Sequence, residues 1–294
     1  MPTIWRSLLF VPANNPKFIA KAHTCNADGI ILDLEDSVPD SELDNARLGL
    51  RKAVASVSRC GAEVLVRVNN SNQLCIDDIQ AAVIEGVAAI MLPKARDAIH
   101  VQSVSEAIAK RERAEGIAAG GVRLVPMIET ATAYFRSFEI GTADPRNIAM
   151  SLGGEDFAVD VGMIPDSDTL AMPKQQVVIA ARAARLIPLG LMGTVANFQD
   201  LNGIRRIAEM SRRFGVEGAP CVHPSNIEIL NSAFSPSSSE IDYAERVVNA
   251  YSEAISKGRA ATTLDGNMID VPVVRRAEIL LARWEAIKAR QSRG

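Results

Sequence analysis

Acidic side chains follow the ends of three predicted strands, where carboxylates could hold a metal ion or move protons. In chain order they are Asp33, Glu35 and Asp36, then Glu129, then Glu155 and Asp156. If these strands lie parallel in one barrel, their carboxyl ends meet at one mouth and the acids lie close together. Like charges at close range raise each other's pKa, and a hard divalent cation removes that cost. Mg²⁺ takes one or two carboxylates plus water and substrate oxygens, so the pattern predicts a magnesium site.

Glu129 and Asp156 are the best candidate metal ligands because they follow neighbouring strands. Taken singly, each acid is more readily explained as a helix N-cap or a solvated loop residue, but the pair in barrel register favours a metal site. Glu35 and Asp36, together with Asp33, could hold water molecules bound to the metal. Since side chains alternate along a strand, these three acids cannot all face the site.

Arg67 is a second candidate because it interrupts the apolar strand Val64–Val68. A guanidinium there must reach a partner or lie at the strand end. One hypothesis is a structural ion pair with one of the acids. The other is a clamp on a substrate carboxylate or on a developing enolate oxygen.

The histidines and cysteines favour no further chemistry. His223 follows the last predicted strand and is interpreted as structural, while His23 and His100 are interpreted as surface residues. The four cysteines form neither a CxxC pair nor a zinc spacing, which is typical of reduced thiols. No zinc-protease, P-loop or dinucleotide-binding motif occurs.

The elements that must position these residues alternate between strand and helix. Eight apolar strands are predicted, and the list is Ser7–Val11, Gly29–Leu34, Val64–Asn69, Ala89–Pro93, Leu124–Ile128, Asn147–Leu152, a weak strand within Leu191–Asn197, and Pro220–His223. Helices are predicted after Asn15 as N-cap, at 101–115 and at Lys174–Leu186. The pattern predicts an α/β fold, a (β/α)₈ TIM barrel over residues 1–233, with a doubly wound open sheet as the alternative.

A C-terminal helical extension is predicted over residues 234–294. Its first helix begins at a capping box of Ser237 and Glu240, and a second helix carries Val274 to Ile287. The segment Leu264–Pro272 lies between the two helices. The extension is too small for a core of ordinary domain size.

Composition excludes several classes of protein. The chain has 294 residues, a formal net charge of −3 and 48% hydrophobic residues, which argues against nucleic-acid binding and against disorder. No stretch is long and apolar enough for a membrane span, and no signal peptide is apparent. We therefore expect a cytoplasmic protein without a membrane or nucleic-acid partner.

Ordered short motifs resemble the citrate lyase β-subunit-like branch of the HpcH/HpaI aldolase superfamily. They are Arg6–Pro12, Leu32–Asp36, Val66–Asn69, Leu92–Lys94, Ile128–Thr130, Gly153–Asp156, Val222–Pro224 and Asp265–Asp270. The resemblance implies a Mg²⁺-dependent barrel with Glu129 and Asp156 as metal ligands, and with Arg67 and Glu129 binding substrate. It also implies that Asp270 acts in a neighbouring subunit's site within a homo-oligomer, a trimer or a hexamer.

The resemblance further implies a carbon–carbon lyase that cleaves or forms a 3-hydroxyacyl-CoA thioester such as malyl-CoA, citramalyl-CoA or citryl-CoA. Arg67 would stabilise the acetyl-CoA enolate, and Asp270 would carry the proton at the acetyl carbon. The alternatives are a thioesterase, a class II aldolase acting on a free 4-hydroxy-2-oxo acid, and a citrate lyase β-subunit that needs an acyl-carrier partner.

The chain departs from the family pattern mainly around the last two strands. The family usually carries an acid near strand seven, whereas this stretch reads Met192–Val195. It also usually has a lysine before strand eight, where this chain has Gly218 and Ala219. These departures spare the metal ligands and put the identity of the substrate in doubt.

Overall fold

A computed structural model describes residues 3–194 and 197–292. The chain divides into two compact units. One unit comprises Trp5–Phe234, and the other comprises Ser235–Gly294 together with Met1–Ile4. Each unit is described separately below.

The larger unit contains an eight-stranded parallel sheet within the described residues. Its strands are β1 (Ser7–Pro12), β2 (Gly29–Asp33), β3 (Glu63–Arg67), β4 (Val87–Leu92), β5 (Arg123–Ile128), β6 (Ala149–Leu152), β7 (Ile187–Leu189) and β8 (Ala219–Cys221). Strands β1 to β7 pair consecutively, and β8 pairs with β1. The sheet closes through a parallel bridge between Leu189 and Gly218, where the Gly190 N–H donates to the Gly218 carbonyl at 2.9 Å. The predicted α/β barrel is therefore confirmed, and the open-sheet alternative is wrong.

Helices follow the strands and cover the outside of the barrel. They are α1 (Pro16–Ala22), α2 (Leu43–Val57), α3 (Asn72–Ala82), α4 (Ala98–Glu115), α5 (Ala131–Phe135), α6 (Ser137–Thr142), α7 (Gly154–Val161), α8 (Ser167–Ala183), α9 (Leu201–Arg213) and α10 (Ile227–Ala233). The predicted N-cap at Asn15 is confirmed, since its side chain accepts from the N–H groups of Lys17 and Phe18. The 3.6-residue period of α2 buries one apolar stripe against the sheet.

Strand alternation fixes which side chains point into the barrel. One apolar cluster, which includes Leu8, Ile31, Leu65 and Met91, fills the interior, while the alternate residues pack under the helices. Polar side chains two residues further along the same strands also point into the barrel, at the carboxyl ends of the strands. Asp33 follows Ile31 in this way and Arg67 follows Leu65, and the two Cα atoms are partners in the ladder.

Two predicted elements are wrong in position. Strand β7 lies at Ile187–Leu189, before the predicted window, in which residues 195 and 196 lie outside the described residues. Pro188 donates no hydrogen bond, but its carbonyl accepts from the Glu217 N–H at 3.0 Å, so the ladder tolerates it. Helix α8 begins at Ser167 rather than Lys174, because Asp166 and Thr169 form a capping box there and the helix runs through Pro173.

The smaller unit is a helical hairpin with a short β-ribbon. Helix α11 (Ser238–Ser256) begins at the predicted capping box of Ser237 and Glu240, which is confirmed. Strands β9 (Thr262–Leu264) and β10 (Asn267–Ile269) pair antiparallel, and helix α12 (Val271–Gln291) follows. Asp265 and Gly266 at the turn both have positive φ, as a type I′ hairpin requires. Val247 and Ile269 are fully buried in this unit's own core.

Among residues 3–194 and 197–292, no helix combines the length and apolar character that a membrane crossing requires. All four cysteines, Cys25, Cys60, Cys75 and Cys221, are free thiols, as the sequence predicts.

Candidate active site

The carboxyl ends of the strands surround a cleft of about 450 Å³. Five acids line it together with two cations and the apolar side chains of Phe10 and Met127. The charged lining residues are Asp33, Asp36, Glu129, Glu155, Asp156, Arg67 and Lys174. The cleft therefore brings together the predicted metal ligands Glu129 and Asp156 and the predicted substrate-binding Arg67. It lies where the active sites of (β/α)₈ enzymes lie.

Arg67 is held by three acids, one at the end of β2 and two directly beyond it. Its Nε and Nη2 atoms donate to the two carboxylate oxygens of Asp33 at 2.6 and 2.8 Å. Its Nη1 atom lies 2.8 Å from Glu35 Oε2 and 3.1 Å from Asp36 Oδ2. The guanidinium also lies 4.8 Å from the centre of the Phe10 ring. Because Asp33 takes the bidentate fork, the structural ion pair considered above exists, and one Nη2 hydrogen lacks an acceptor among the described residues.

Burial and ion pairing shift the pKa values of Asp33 and Arg67 in opposite directions. For the Asp33 carboxyl, burial raises the pKa, but hydrogen bonds and charge from Arg67 outweigh it and the net pKa is lowered. For Arg67, burial lowers the pKa, and the carboxylates of Asp33 and Glu35 outweigh it so that the pKa is raised. Both partners are therefore charged, and Arg67 is a fixed cation at the edge of the cleft.

Glu129 is a buried carboxylate, only 2% exposed, directly beyond β5. Its Oε2 atom accepts a hydrogen bond from the Lys94 backbone N–H at 2.6 Å. Burial, and next the negative charge of Asp156, raise the pKa of Glu129 to about 7. A cation bound between the two carboxylates would remove both penalties.

Lys94 is a cation at the site for which no role was predicted from the sequence, although it lies two residues beyond the end of β4. Its backbone is in the left-handed region with φ of 47°, which is uncommon for a residue with a side chain. That turn points the N–H at Glu129, while Nζ lies 2.7 Å from Glu35 Oε1 and 3.5 Å from Asp156 Oδ1. Lys94 thus contacts all three of these acids.

The donor set suits a magnesium ion better than a tightly caged metal. Among the described residues, no group of three or more histidine, cysteine or acidic side chains is arranged to hold a metal. Glu129 and Asp156 supply two carboxylates in one cleft, and the Asp156 side chain is 42% exposed. Mg²⁺ is commonly held by one or two carboxylates, with water and substrate oxygens completing its six ligands. The residues present fit that ion.

Gly153 provides the space that the Glu129 carboxylate occupies. A Cβ atom at Gly153 would overlap Glu129 Oε1 and its neighbouring side-chain atoms. We therefore expect Gly153→Ala to displace the carboxylate and weaken divalent-ion binding by roughly tenfold to hundredfold. A calorimetric titration with Mn²⁺ measures the affinity of the variant for a divalent ion.

Gly49→Ala is the matched control, because a Cβ there meets nothing within 4 Å. It lies inside α2, so alanine should leave ion binding unchanged and slightly stabilise the fold. Equal ion affinity in both variants and wild type would contradict the role assigned to Gly153.

The remaining predicted residues lie as follows. Glu35 packs against Arg67 and Lys94 with little of its side chain exposed, whereas Asp36 is largely exposed, yet both contact Arg67 Nη1. The expected strand alternation does not separate them, because β2 ends at Asp33 and both residues lie beyond it. Asp270 belongs to the smaller unit, where its side chain caps α12. His223 is exposed and its ring stacks on Phe198. The prediction that His100 lies at the surface is wrong. The residue is buried, and its Nδ1 atom accepts a hydrogen bond from the Arg96 N–H at 3.3 Å.

Fold and site together define a barrel enzyme with a carboxylate pair, Glu129 and Asp156, at the carboxyl ends of its strands. Residues 6–224 match the HpcH/HpaI aldolase/citrate lyase family, and the chain belongs to that family. The resemblance noted from the sequence is thereby confirmed. So is the enzyme class at the family level, a carbon–carbon lyase related to citrate lyase β-subunits.

Three proteins illustrate the similarity. The chain is 32% identical over 276 residues to citrate lyase subunit beta of Leuconostoc mesenteroides subsp. cremoris, covering 93% of this chain and 91% of that one. It is 33% identical over 287 residues to a (3S)-malyl-CoA thioesterase of Cereibacter sphaeroides, covering 97% and 96%. It superposes on CitE of Mycobacterium tuberculosis in complex with magnesium, acetoacetate and coenzyme A, with TM-score 0.75, 28% identity and coverage of 95% and 97%.

Proposed function

We propose that the protein is a Mg²⁺-dependent lyase that cleaves or forms the carbon–carbon bond of a 3-hydroxyacyl-CoA thioester. The substrate class is that of malyl-CoA, citramalyl-CoA and citryl-CoA, and the products are acetyl-CoA and an oxo acid. The observation that carries the proposal is the Glu129–Asp156 carboxylate pair beside the fixed Arg67 cation in one cleft. The magnesium and coenzyme A bound by the M. tuberculosis CitE support the choice of ion and thioester.

In this proposal Glu129 and Asp156 hold the metal, and Glu35 and Asp36 hold water around it. When bound, Mg²⁺ would lower the pKa of the substrate hydroxyl and polarise the oxo group of the product. Arg67, fixed by Asp33, supplies positive charge and its remaining Nη2 hydrogen where the enolate oxygen develops. Lys94 keeps Glu129 oriented through its N–H and neutralises Glu35 through its ammonium.

Asp270 is assigned the proton at the acetyl carbon. Asp270 lies between the end of β10 and the start of α12. Its carboxylate accepts a hydrogen bond from the Val273 N–H at 3.3 Å. We place this carboxylate in a neighbouring protomer's site, which requires a homo-oligomer, a trimer or a hexamer. A location in the cytoplasm remains an expectation from the sequence.

The experiment that tests the function is product analysis from malyl-CoA, citramalyl-CoA, citryl-CoA and a free 4-hydroxy-2-oxo acid. Each substrate is given to the purified chain with Mg²⁺ and with EDTA. Metal-dependent release of acetyl-CoA and an oxo acid is the expected result. Cleavage of the free acid alone would move the protein to the aldolase alternative. Silence on all four substrates would contradict a stand-alone lyase and favour a subunit that needs an acyl carrier.

Hydrolysis of the thioester is the second candidate function. The similarity to the malyl-CoA thioesterase is as high as that to the citrate lyase subunit. The same assay separates the two, because a thioesterase releases free CoA whereas a lyase releases acetyl-CoA. Free CoA in excess over acetyl-CoA from the first turnovers would favour the thioesterase.

A further inference from the structure

Lys174 is a buried cation in the cleft that the proposed reaction does not use. It lies on α8 with 8% of its surface exposed, and it lines the cleft together with Glu129 and Asp156. Its Nζ atom donates to the carbonyl oxygens of Leu191 and Gly193, both at 2.6 Å. An ammonium carries three hydrogens, and within residues 3–194 and 197–292 only these two are matched by acceptors.

The chain supplies this ammonium with no carboxylate in direct contact among the described residues. The charge that does act on it belongs to Glu155, an exposed residue whose carboxylate is hydrogen-bonded to the Thr194 hydroxyl. Burial lowers the pKa of Lys174 to about 8, and Glu155 offsets only part of that effect. A buried ammonium without a countercharge is costly for a fold to keep.

The segment after β7 supplies Lys174 with dipoles and no charge. Its contacts with Nζ within the described residues are the backbone carbonyls of Leu191 and Gly193, and neither carries a negative charge.

Two adjacent glycines connect Lys174 with the carboxylate pair. Gly153 lies against the Glu129 carboxylate, and a Cβ at Gly154 would lie 3.1 Å from Lys174 Nζ. The next residues, Glu155 and Asp156, begin α7 from the same turn. Lys174 thus lies beside the segment that presents the predicted metal ligand Asp156.

We propose that Lys174 binds a carboxylate of the substrate's acyl group, beyond the one that the metal pair would hold. The inference rests on the proposed function, and it narrows the substrate class to acyl groups with an additional carboxylate, as in citryl-CoA. The substrate then provides the anion that Gly193 cannot. Malyl-CoA and citramalyl-CoA lack that carboxylate and would leave the ammonium unpaired.

The test measures binding rather than turnover, so that it stands apart from the activity assay. Citrate and citramalate differ in one carboxylate, because citrate has a carboxymethyl group where citramalate has a methyl group. We expect wild-type protein with Mg²⁺ to bind citrate roughly tenfold to hundredfold more tightly than citramalate, the range of one charge-assisted hydrogen bond. Calorimetric titration of both acids gives the ratio.

Gly193→Asp should remove this preference, because it installs an internal carboxylate for Lys174. The change is sterically feasible, since the nearest neighbour of a Cβ at Gly193 would be the Cδ1 atom of Ile207, the far end of a flexible side chain, at 3.0 Å. Gly193→Asn is the matched control of equal size without charge, and it should keep the preference. Lys174→Met should lose the preference and also lose the two bonds that tie the segment after β7.

Thermal melting identifies a purely structural lysine. If Gly193→Asp raises the melting temperature but leaves the citrate-to-citramalate ratio unchanged, Lys174 only supports the fold and the inference is overturned. Equal affinity of wild-type protein for the two acids also overturns it. A retained preference in a chain that cleaves no thioester would instead count against the proposed lyase and leave the Lys174 assignment standing.

Discussion

Replacing Asp156 by asparagine should abolish the divalent-dependent activity, with a loss in kcat on the order of 10³-fold or more. The carboxylate supplies half of the protein's share of the predicted magnesium site, and a neutral amide binds a hard cation far less well. The fold should survive, because the Asp156 side chain is 42% exposed and its one ion pair within the described residues is a 3.5 Å contact with Lys94. Thermal melting and Mn²⁺ titration should therefore report an unchanged fold with weakened ion binding.

Asp168→Asn is the control for that variant. Asp168 is exposed in the first turn of α8, and its replacement by asparagine removes the same unit of charge as Asp156→Asn does. Its activity and ion affinity should equal those of the wild type. Retained metal-dependent turnover in Asp156→Asn would remove this residue from the metal site.

The second large effect concerns Asp270. We expect Asp270→Asn to lose activity by about 10²- to 10⁴-fold, the usual contribution of a general acid or base, while ion binding by the barrel stays intact. The asparagine still accepts a hydrogen bond at the start of α12, so the helix should remain capped. A steady-state rate measurement beside the Mn²⁺ titration separates this variant from Asp156→Asn.

Mixing the two inactive variants tests whether Asp270 acts across a subunit interface. Subunits with Asp156→Asn and subunits with Asp270→Asn are combined as oligomers formed from a random mixture. If each site takes Asp270 from a neighbour, roughly a quarter of the sites regain both carboxylates, so that fraction of wild-type activity should return. No recovery in oligomers shown to be mixed would place Asp270 outside a shared site.

The choice of Asp156 for this mixing follows from the ion pairs of Arg67. Arg67 is the charge partner of Asp33, whose side chain is 2% exposed, and of Glu35. Its removal would leave buried carboxylates unpaired, at a cost of about 3–5 kcal/mol. An Arg67→Ala subunit would therefore test stability as much as catalysis.

The barrel could be predicted because its strands are short apolar runs with polar ends in a fixed order. Seven predicted strands overlap the observed ones, and β7, with Pro188 at its centre, escaped because the predicted helix ran on to Leu186, directly before it. Proline normally indicates a break in a strand, and only the pairing partner shows that its carbonyl alone is needed. The start of α8 was also predicted wrongly, because the helix begins upstream at the capping box of Asp166 and Thr169 and runs through Pro173.

The site was predictable where strand phase alone decides direction. Arg67 is two residues beyond Leu65 and points inward with it. Contacts between distant segments were not predictable. The left-handed turn at Lys94, which contacts Glu129, Glu35 and Asp156, depends on how the β4 and β5 ends meet. The pairing of Lys174 with the Gly193 carbonyl joins α8 to the segment after β7, and neither local sequence indicates it.

The claim that Glu129 and Asp156 form the metal centre is tested most directly by crystals of the protein soaked with Mn²⁺. Manganese accepts the same oxygen ligands as magnesium, and its anomalous scattering locates it independently of the protein atoms. The account predicts one strong peak bonded by carboxylate oxygens of both Glu129 and Asp156. A peak held instead by Glu35 and Asp36, or no peak in this cleft at saturating Mn²⁺, would contradict it.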